Sequence, residues 1–230
     1  AAEGAFLVME YVPGTTLRQL LANNGSLTPP IAATLFEQLL AGMEAAHVSK
    51  IVHRDLKPDN LMIAGANGEM ALKILDFGLA KMRDSDVSDP ASKTAPGVAM
   101  GTFGYMSPEQ YLGSEIDERS DIYSIGVMVL EALTGKLQLN AYSFHAQIGE
   151  IVAKRFAFSG ATTEHQSVAD CISKCVAIQR GDRYAGIQEL RDELLPALRA
   201  CPPLPEIVRA AAAQTNAAAI PEATRTLPRA

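Results

Sequence analysis

The chain has 230 residues, 48% of them hydrophobic and 20% charged, a globular balance that argues against a disordered protein. Its 20 basic and 26 acidic side chains leave a net charge of −6, which disfavours nucleic-acid binding, because phosphate contacts demand clustered Lys and Arg. No run of about 18 apolar residues occurs, so no membrane segment is expected in this chain.

An opening Ala1, with no Met and no basic stretch, predicts no signal peptide at that end, and the chain reads as a soluble portion of a longer protein. Residues Ala5 to Val12 are apolar and β-favouring and stop at Pro13-Gly14, predicting a strand and a turn. A short helix is expected from Thr16 to Ala22. A longer one starts with Thr28 as N-cap and Pro29 in its first turn. Its core stripe is predicted as Ile31, Leu35, Leu39, Met43 and His47. Short strands are expected at Ile51-Val52, Asn60 to Ile63 and Leu72 to Leu75, the last two flanking Asn67-Gly68.

Met82 to Gly101 is polar and loop-like, and structureless segments of that length are usually functional or disordered. Ser120 to Thr134 is apolar on nearly every side and ends at Gly135, as suits a helix at the centre of a helical domain. Further helices are predicted over Ala146 to Arg155, Val168 to Ile178 and Gly186 to Leu198. After Cys201, prolines and alanine runs predict a flexible linker. Cys171, Cys175 and Cys201 are too few for a disulfide framework and suit a reducing cytosol. Zinc would need two ligands beyond Cys171 and Cys175, with His165 the only nearby candidate, so buried thiols are the expectation.

The chemistry concentrates in His53-Arg54-Asp55-Leu56-Lys57-Pro58-Asp59-Asn60 and Asp76-Phe77-Gly78. Asp55 and Asn60 bracket a tight loop, and Asp76 ends the hairpin that follows. Two carboxylates, an amide oxygen and a Lys converging on one spot suit hydroxyl activation beside a metal-bound phosphate. Asp-Phe-Gly alone is as readily a turn; both motifs in order, separated by a hairpin, make chance a poor explanation.

These motifs resemble the catalytic and metal loops of the protein kinases. Gly101-Thr102-Phe103-Gly104-Tyr105-Met106-Ser107-Pro108-Glu109 is similar to the substrate-binding segment closing their activation loop. Asp121 resembles the start of their central helix, and Arg183 the late arginine that pairs with Glu109. The wording of Val8 to Gly14 and Met106 to Gln110 is most similar to the bacterial eukaryotic-like (Hanks-type) Ser/Thr kinases. The resemblance runs from Ala5 to about Ala200.

It implies an α+β, mainly helical fold: the large C-terminal lobe of a kinase with its hinge strand, the small lobe absent. Residues 1–12 would be the last small-lobe strand and hinge, 13–200 the large lobe, and 201–230 a Pro/Ala-rich linker or tail. It implies transfer of the ATP γ-phosphoryl group to protein Ser/Thr hydroxyls with Mg²⁺ (or Mn²⁺), and possible autophosphorylation. Asp55 would accept or orient the hydroxyl proton, Lys57 would neutralise the phosphoryl group, and Asn60 and Asp76 would hold the metal. Met9 would be the gatekeeper, Glu10 and Val12 would offer hinge hydrogen bonds, and Met62 would lie under the adenine; simple apolar packing serves Met9 and Met62 nearly as well.

Glu109 with Arg183 is expected as a buried ion pair, Asp121 as the support of the catalytic loop, and His53 as a partner of Phe77. Thr102 would either hydrogen-bond near Asp55 and Lys57 or be phosphorylated. Arg54 implies activation by loop phosphorylation, with Ser85, Ser88, Ser92 and Thr94 as acceptors. Tyr123 stands where the family often has Trp, and no Pro flanks Arg183.

The family's Gly-rich loop, strand Lys and helix Glu find no match. Gly97 to Gly104 has the wrong spacing, and Ile151-Val152-Ala153-Lys154 comes too late in the chain. The chain alone is therefore expected to be inactive, in a cytoplasmic protein with a possible membrane anchor after residue 230. A pseudokinase or scaffold that binds protein partners without catalysis is the alternative.

Overall fold

The computed structural model describes residues 9–66, 69–77, 103–135, 137, 144–157 and 160–205. Seven α-helices and a three-stranded sheet make up the described residues, with short 3₁₀ turns at Pro58–Asn60, Phe103–Tyr105 and Arg180–Asp182. The sheet is antiparallel, in the order β1 (Thr15–Thr16), β2 (Leu61–Ala66), β3 (Glu69–Ile74).

The first predicted strand, residues 5–12, needs correction at its described end. Met9 to Val12 lie outside any ladder. Among the described residues, pairing begins at Thr15 and Thr16, opposite Ile63 and Met62. Between them, Gly14 passes so close to β2 that a Cβ on it would sit 2.3 Å from the Ile63 carbonyl oxygen. Only glycine fits that approach.

Thr16 then caps α1 (Leu17–Asn24), its hydroxyl accepting from the Gln19 N–H while the Gln19 side chain accepts from the Thr16 N–H. Helix α2 (Pro29–Val48) has Thr28 at its N-cap, as the Thr-Pro signal requires. Leu35, Leu39 and Met43 are buried as predicted, but Ile31 is 40% exposed. A stripe of every fourth residue drifts by about 40° per step on a helix of 3.6 residues per turn, so its first member turns out to solvent. Ala32, Phe36 and Leu40 take the rest of the buried face.

No strand forms at Ile51-Val52. The Ile51 N–H donates to the Ala46 carbonyl at 2.9 Å and the Lys50 N–H to the His47 carbonyl at 2.9 Å. With Lys50 left-handed at φ 60°, these bonds close α2 in a Schellman motif, leaving the Ile51 N–H unavailable to a ladder. The predicted hairpin is present, with Leu61 opposite Ile74 and Ala64 opposite Ala71. Gln38 of α2 covers its outer edge, donating to the Met70 carbonyl and accepting from the Leu72 N–H, each at 2.9 Å.

Helix α3 (Pro108–Leu112) carries a capping box between Ser107 and Gln110. Helix α4 (Arg119–Thr134) is the axis of the molecule: Ser120 through Thr134 are all buried. A helix apolar nearly all round can only lie inside a ring of other elements. That ring is α2 and α6 (Thr163–Cys175), with α5 (Phe144–Phe156) against α6 and α7 (Ile187–Ala200) against α2 and α6. Lys154 of the strand-Lys look-alike is exposed on α5 beside Glu150. Cys171, Cys175 and Cys201 are free and buried, and burial pushes the Cys201 thiol up to about 11. No group of three metal-ligating side chains forms among the described residues, and no described helix is long and apolar enough to cross a membrane. The core continues through Cys201 and Leu204.

Candidate functional site

The loop from His53 to Asn60 runs between α2 and β2, and α4 holds it from below. Asp121, wholly buried in the first turn of α4, accepts the His53 N–H on Oδ2 and the Arg54 N–H on Oδ1, both at 2.9 Å. His47 Nε2 reaches the same Oδ2 at 2.8 Å. One side chain thus satisfies two backbone donors in irregular chain, of which the buried His53 N–H would cost about 1–3 kcal/mol if left unpaired. Arg54 is left-handed at φ 69°, a conformation that costs an L-residue about 1–2 kcal/mol.

His53 is buried, and its Nε2–H donates to the Leu75 carbonyl at 2.8 Å. That fixes the tautomer, so Nδ1 is free to accept the Asp55 N–H at 3.3 Å. The ring also meets Phe77 at a centroid distance of 4.9 Å. Leu75 in turn donates its N–H to the Asn60 carbonyl at 2.8 Å. Asp76 therefore begins one residue past a backbone clamped to both His53 and Asn60. It is exposed and left-handed at φ 59°.

Three of the sequence-predicted residues meet directly. Lys57 Nζ lies 2.7 and 3.0 Å from the two carboxylate oxygens of Asp55. Asn60 Nδ2 donates to the Asp55 carbonyl at 2.8 Å and to Asp55 Oδ2 at 3.1 Å. Buried Leu56 and Pro58 anchor the loop while the Asp55 side chain stays 39% exposed, open to a substrate. Beside Asp55 is a small concavity lined by Arg54, Leu56, Tyr105, Met106 and Ser124.

The donor set suits a hard cation. With both Asn60 N–H groups turned to Asp55, its Oδ1 is left as an acceptor, and the Asp76 carboxylate makes no ion pair among the described residues. Amide and carboxylate oxygens are ligands for Mg²⁺ rather than for a soft metal.

The residues expected at the hinge are described from Met9 onward. Met9 is 57% exposed, so apolar packing does not hold it among the described residues, while Val12 and Met62 are half-buried. Glu10 pairs with Lys73 at 2.5 Å, and Lys73 is the ladder partner of Met62. Glu10 is thereby held at β3, level with Met62. Gly78, Thr102, Ser85, Ser88, Ser92 and Thr94 lie outside the described residues.

Sequence reasoning missed one network. Arg18 of α1 donates to Glu131 at 2.8 Å, to the Tyr105 hydroxyl at 2.7 Å and to Asp59 at 3.3 Å. Tyr105 donates its own O–H to Glu131. Burial, then the Glu131 carboxylate, push the Tyr105 phenol far above its ordinary value, so it stays a donor. An acid inside the otherwise apolar run from Ile122 to Leu133 was the one hint, and it names no partner.

A family model described as protein kinase domain matches residues 2–194. The chain is 41% identical over 145 residues to serine/threonine-protein kinase pkn3 of Myxococcus xanthus, covering 62% of this chain and 26% of that protein. Against serine/threonine-protein kinase PknL of Mycobacterium tuberculosis the identity is 44% over 130 residues, 56% of this chain and 31% of that one. Serine/threonine-protein kinase Pkn1 of Myxococcus xanthus is 34% identical over 204 residues, 84% of this chain and 27% of its own length. The matches thus span between about a quarter and a third of these relatives.

Proposed function

Since the chain belongs to the protein kinase domain family, we propose that it supplies the large lobe of a serine/threonine kinase that moves the γ-phosphoryl group of ATP to protein Ser/Thr hydroxyls. The observation that carries this reading is the contact of Asp55 with both Lys57 and Asn60, at 2.7 and 3.1 Å. Asp55 holds the acceptor hydroxyl and takes up its proton as the oxygen attacks. Lys57, held at Asp55, sets its positive charge where the transferred group gathers negative charge. Asn60 and Asp76 are the residues that would hold Mg²⁺, which when bound neutralises the phosphate oxygens. The hinge at Glu10 and Val12, with Met62 beneath, receives the adenine.

The 230 residues carry no match to the Gly-rich loop, strand Lys or helix Glu of the family. Joined to those elements the site is complete; this chain alone lacks the upper wall of the nucleotide site. Transfer of label from γ-labelled ATP to a Ser/Thr-containing protein tests the reading. The full-length protein is expected to yield phosphoserine or phosphothreonine, and the isolated chain almost none. Nucleotide binding without transfer by the full-length protein would contradict it and favour the scaffold alternative.

A further inference from the structure

We propose that Gln110 is a positioning residue for Asp55, holding it by the peptide bond that links it to Arg54. This rests on the reading of Asp55 as the group that meets the substrate hydroxyl.

Gln110 is the third residue of α3, and its amide works in two directions. Its Oε1 accepts the Ser107 N–H at 3.0 Å and the Ser107 hydroxyl at 3.1 Å, closing the cap of α3. Its Nε2 donates to the Arg54 carbonyl, 56 residues away, at 2.6 Å. A donor at one end and a carbonyl at the other leave only one way round for the amide.

The Arg54 carbonyl belongs to the peptide whose N–H is that of Asp55. That peptide is gripped on both sides: Gln110 holds its oxygen, and His53 Nδ1 accepts its N–H at 3.3 Å. Arg54 needs such support, being left-handed at φ 69° without being glycine. Asp121 fixes the preceding peptide through the Arg54 N–H. Of these holds, only Gln110 comes from the stretch 103–112 ahead of α4; Asp121 belongs to α4 itself and His53 to the loop. The direction of the Asp55 side chain therefore depends on the Ser107–Gln110 turn being formed.

Gln110→Glu separates the two functions. A carboxylate at the third position of a helix still accepts from Ser107 and suits the cap. It has no hydrogen to give the Arg54 carbonyl. Amide hydrogen exchange in this chain is the first readout, with thermal melting beside it. In Gln110→Glu, exchange at Arg54 and Asp55 is expected to quicken roughly tenfold, the worth of about one hydrogen bond, while melting holds within a few degrees. Unchanged exchange would overturn the proposal. Gln110→Ala, which loses the cap as well, should lower melting too.

The second readout is kinetic, in the full-length protein. Gln110→Glu should lower kcat roughly tenfold with KM for ATP unchanged, and the deficit should shrink at acid pH as the introduced carboxyl gains a proton to donate. A deficit that ignores pH, or none, would overturn the positioning role. If the wild-type protein transfers no phosphate, the reading of Asp55 fails, and the exchange data still decide whether Gln110 holds the Arg54–Asp55 peptide.

Discussion

Arg183 and Glu109 meet fork to fork inside the protein, Nη1 to Oε1 at 2.7 Å and Nη2 to Oε2 at 2.9 Å, with Arg183 also donating to the carbonyls of Ala177, Ile178 and Arg119. The pair joins the start of α3 to the loop before α7. Its guanidinium lies 5.0 Å from the Tyr123 ring centroid. Removing either partner leaves the other buried and charged. Glu109→Ala or Arg183→Ala should cost about 3–5 kcal/mol, measured by urea unfolding.

The same pair sets a pH dependence. Burial alone would raise the Glu109 pKa, but hydrogen bonds from Arg183, Ser120 and a backbone N–H outweigh it and hold it at about 2, against an ordinary 4.5. The folded value lies below the unfolded one, so the unfolded chain takes up the proton first as pH falls. The stabilisation is whole above about 4.5 and lost as pH drops toward about 2. Glu109→Gln should flatten that part of the stability curve; an unchanged slope would reassign it.

Gly126, in mid-α4, lies close against Cys175 at the end of α6. A Cβ there would fall 2.4 Å from Cys175 Cβ and 3.0 Å from Val176 Cγ1. Alanine gains about 1 kcal/mol of helix propensity, but a Cβ cannot swing aside as a long side chain does. Gly126→Ala should therefore lower stability by about 1–3 kcal/mol in chemical denaturation.

Arg18 serves Glu131, Tyr105 and Asp59 at once through separate nitrogens. Lysine is a point charge and cannot divide itself so. Arg18→Ala should cost roughly 1–3 kcal/mol, because Glu131 stays buried with only the Tyr105 hydroxyl. Arg18→Lys should recover less than half of that by urea midpoint, and full recovery would show that charge alone matters.

The long helices were legible because their ends carry caps: Thr28-Pro29, Gly135, and Gly186 ahead of α7. The contacts of Asp55, Asp121 with the loop and Glu109 with Arg183 were legible because motif order brought the family's wiring with it. Helix α3 and strand β1 were not, since five and two residues are too short for a period to show. Nor was Arg18 with Glu131, 113 residues apart, where a lone charge reads as a solvated face. Gln110 was hidden for a like reason: its helix cap is written locally, but its bond to Arg54 exists only in the folded chain.

The most direct test of the account is the kcat of the full-length protein carrying Asp55→Asn, beside a melting curve showing it folded. Asparagine keeps the shape and still accepts from Lys57 and Asn60, but it cannot take the hydroxyl proton. The account predicts phosphoryl transfer to protein falling by a factor of about 10²–10⁴, with nucleotide binding retained. Transfer at the wild-type rate would contradict it.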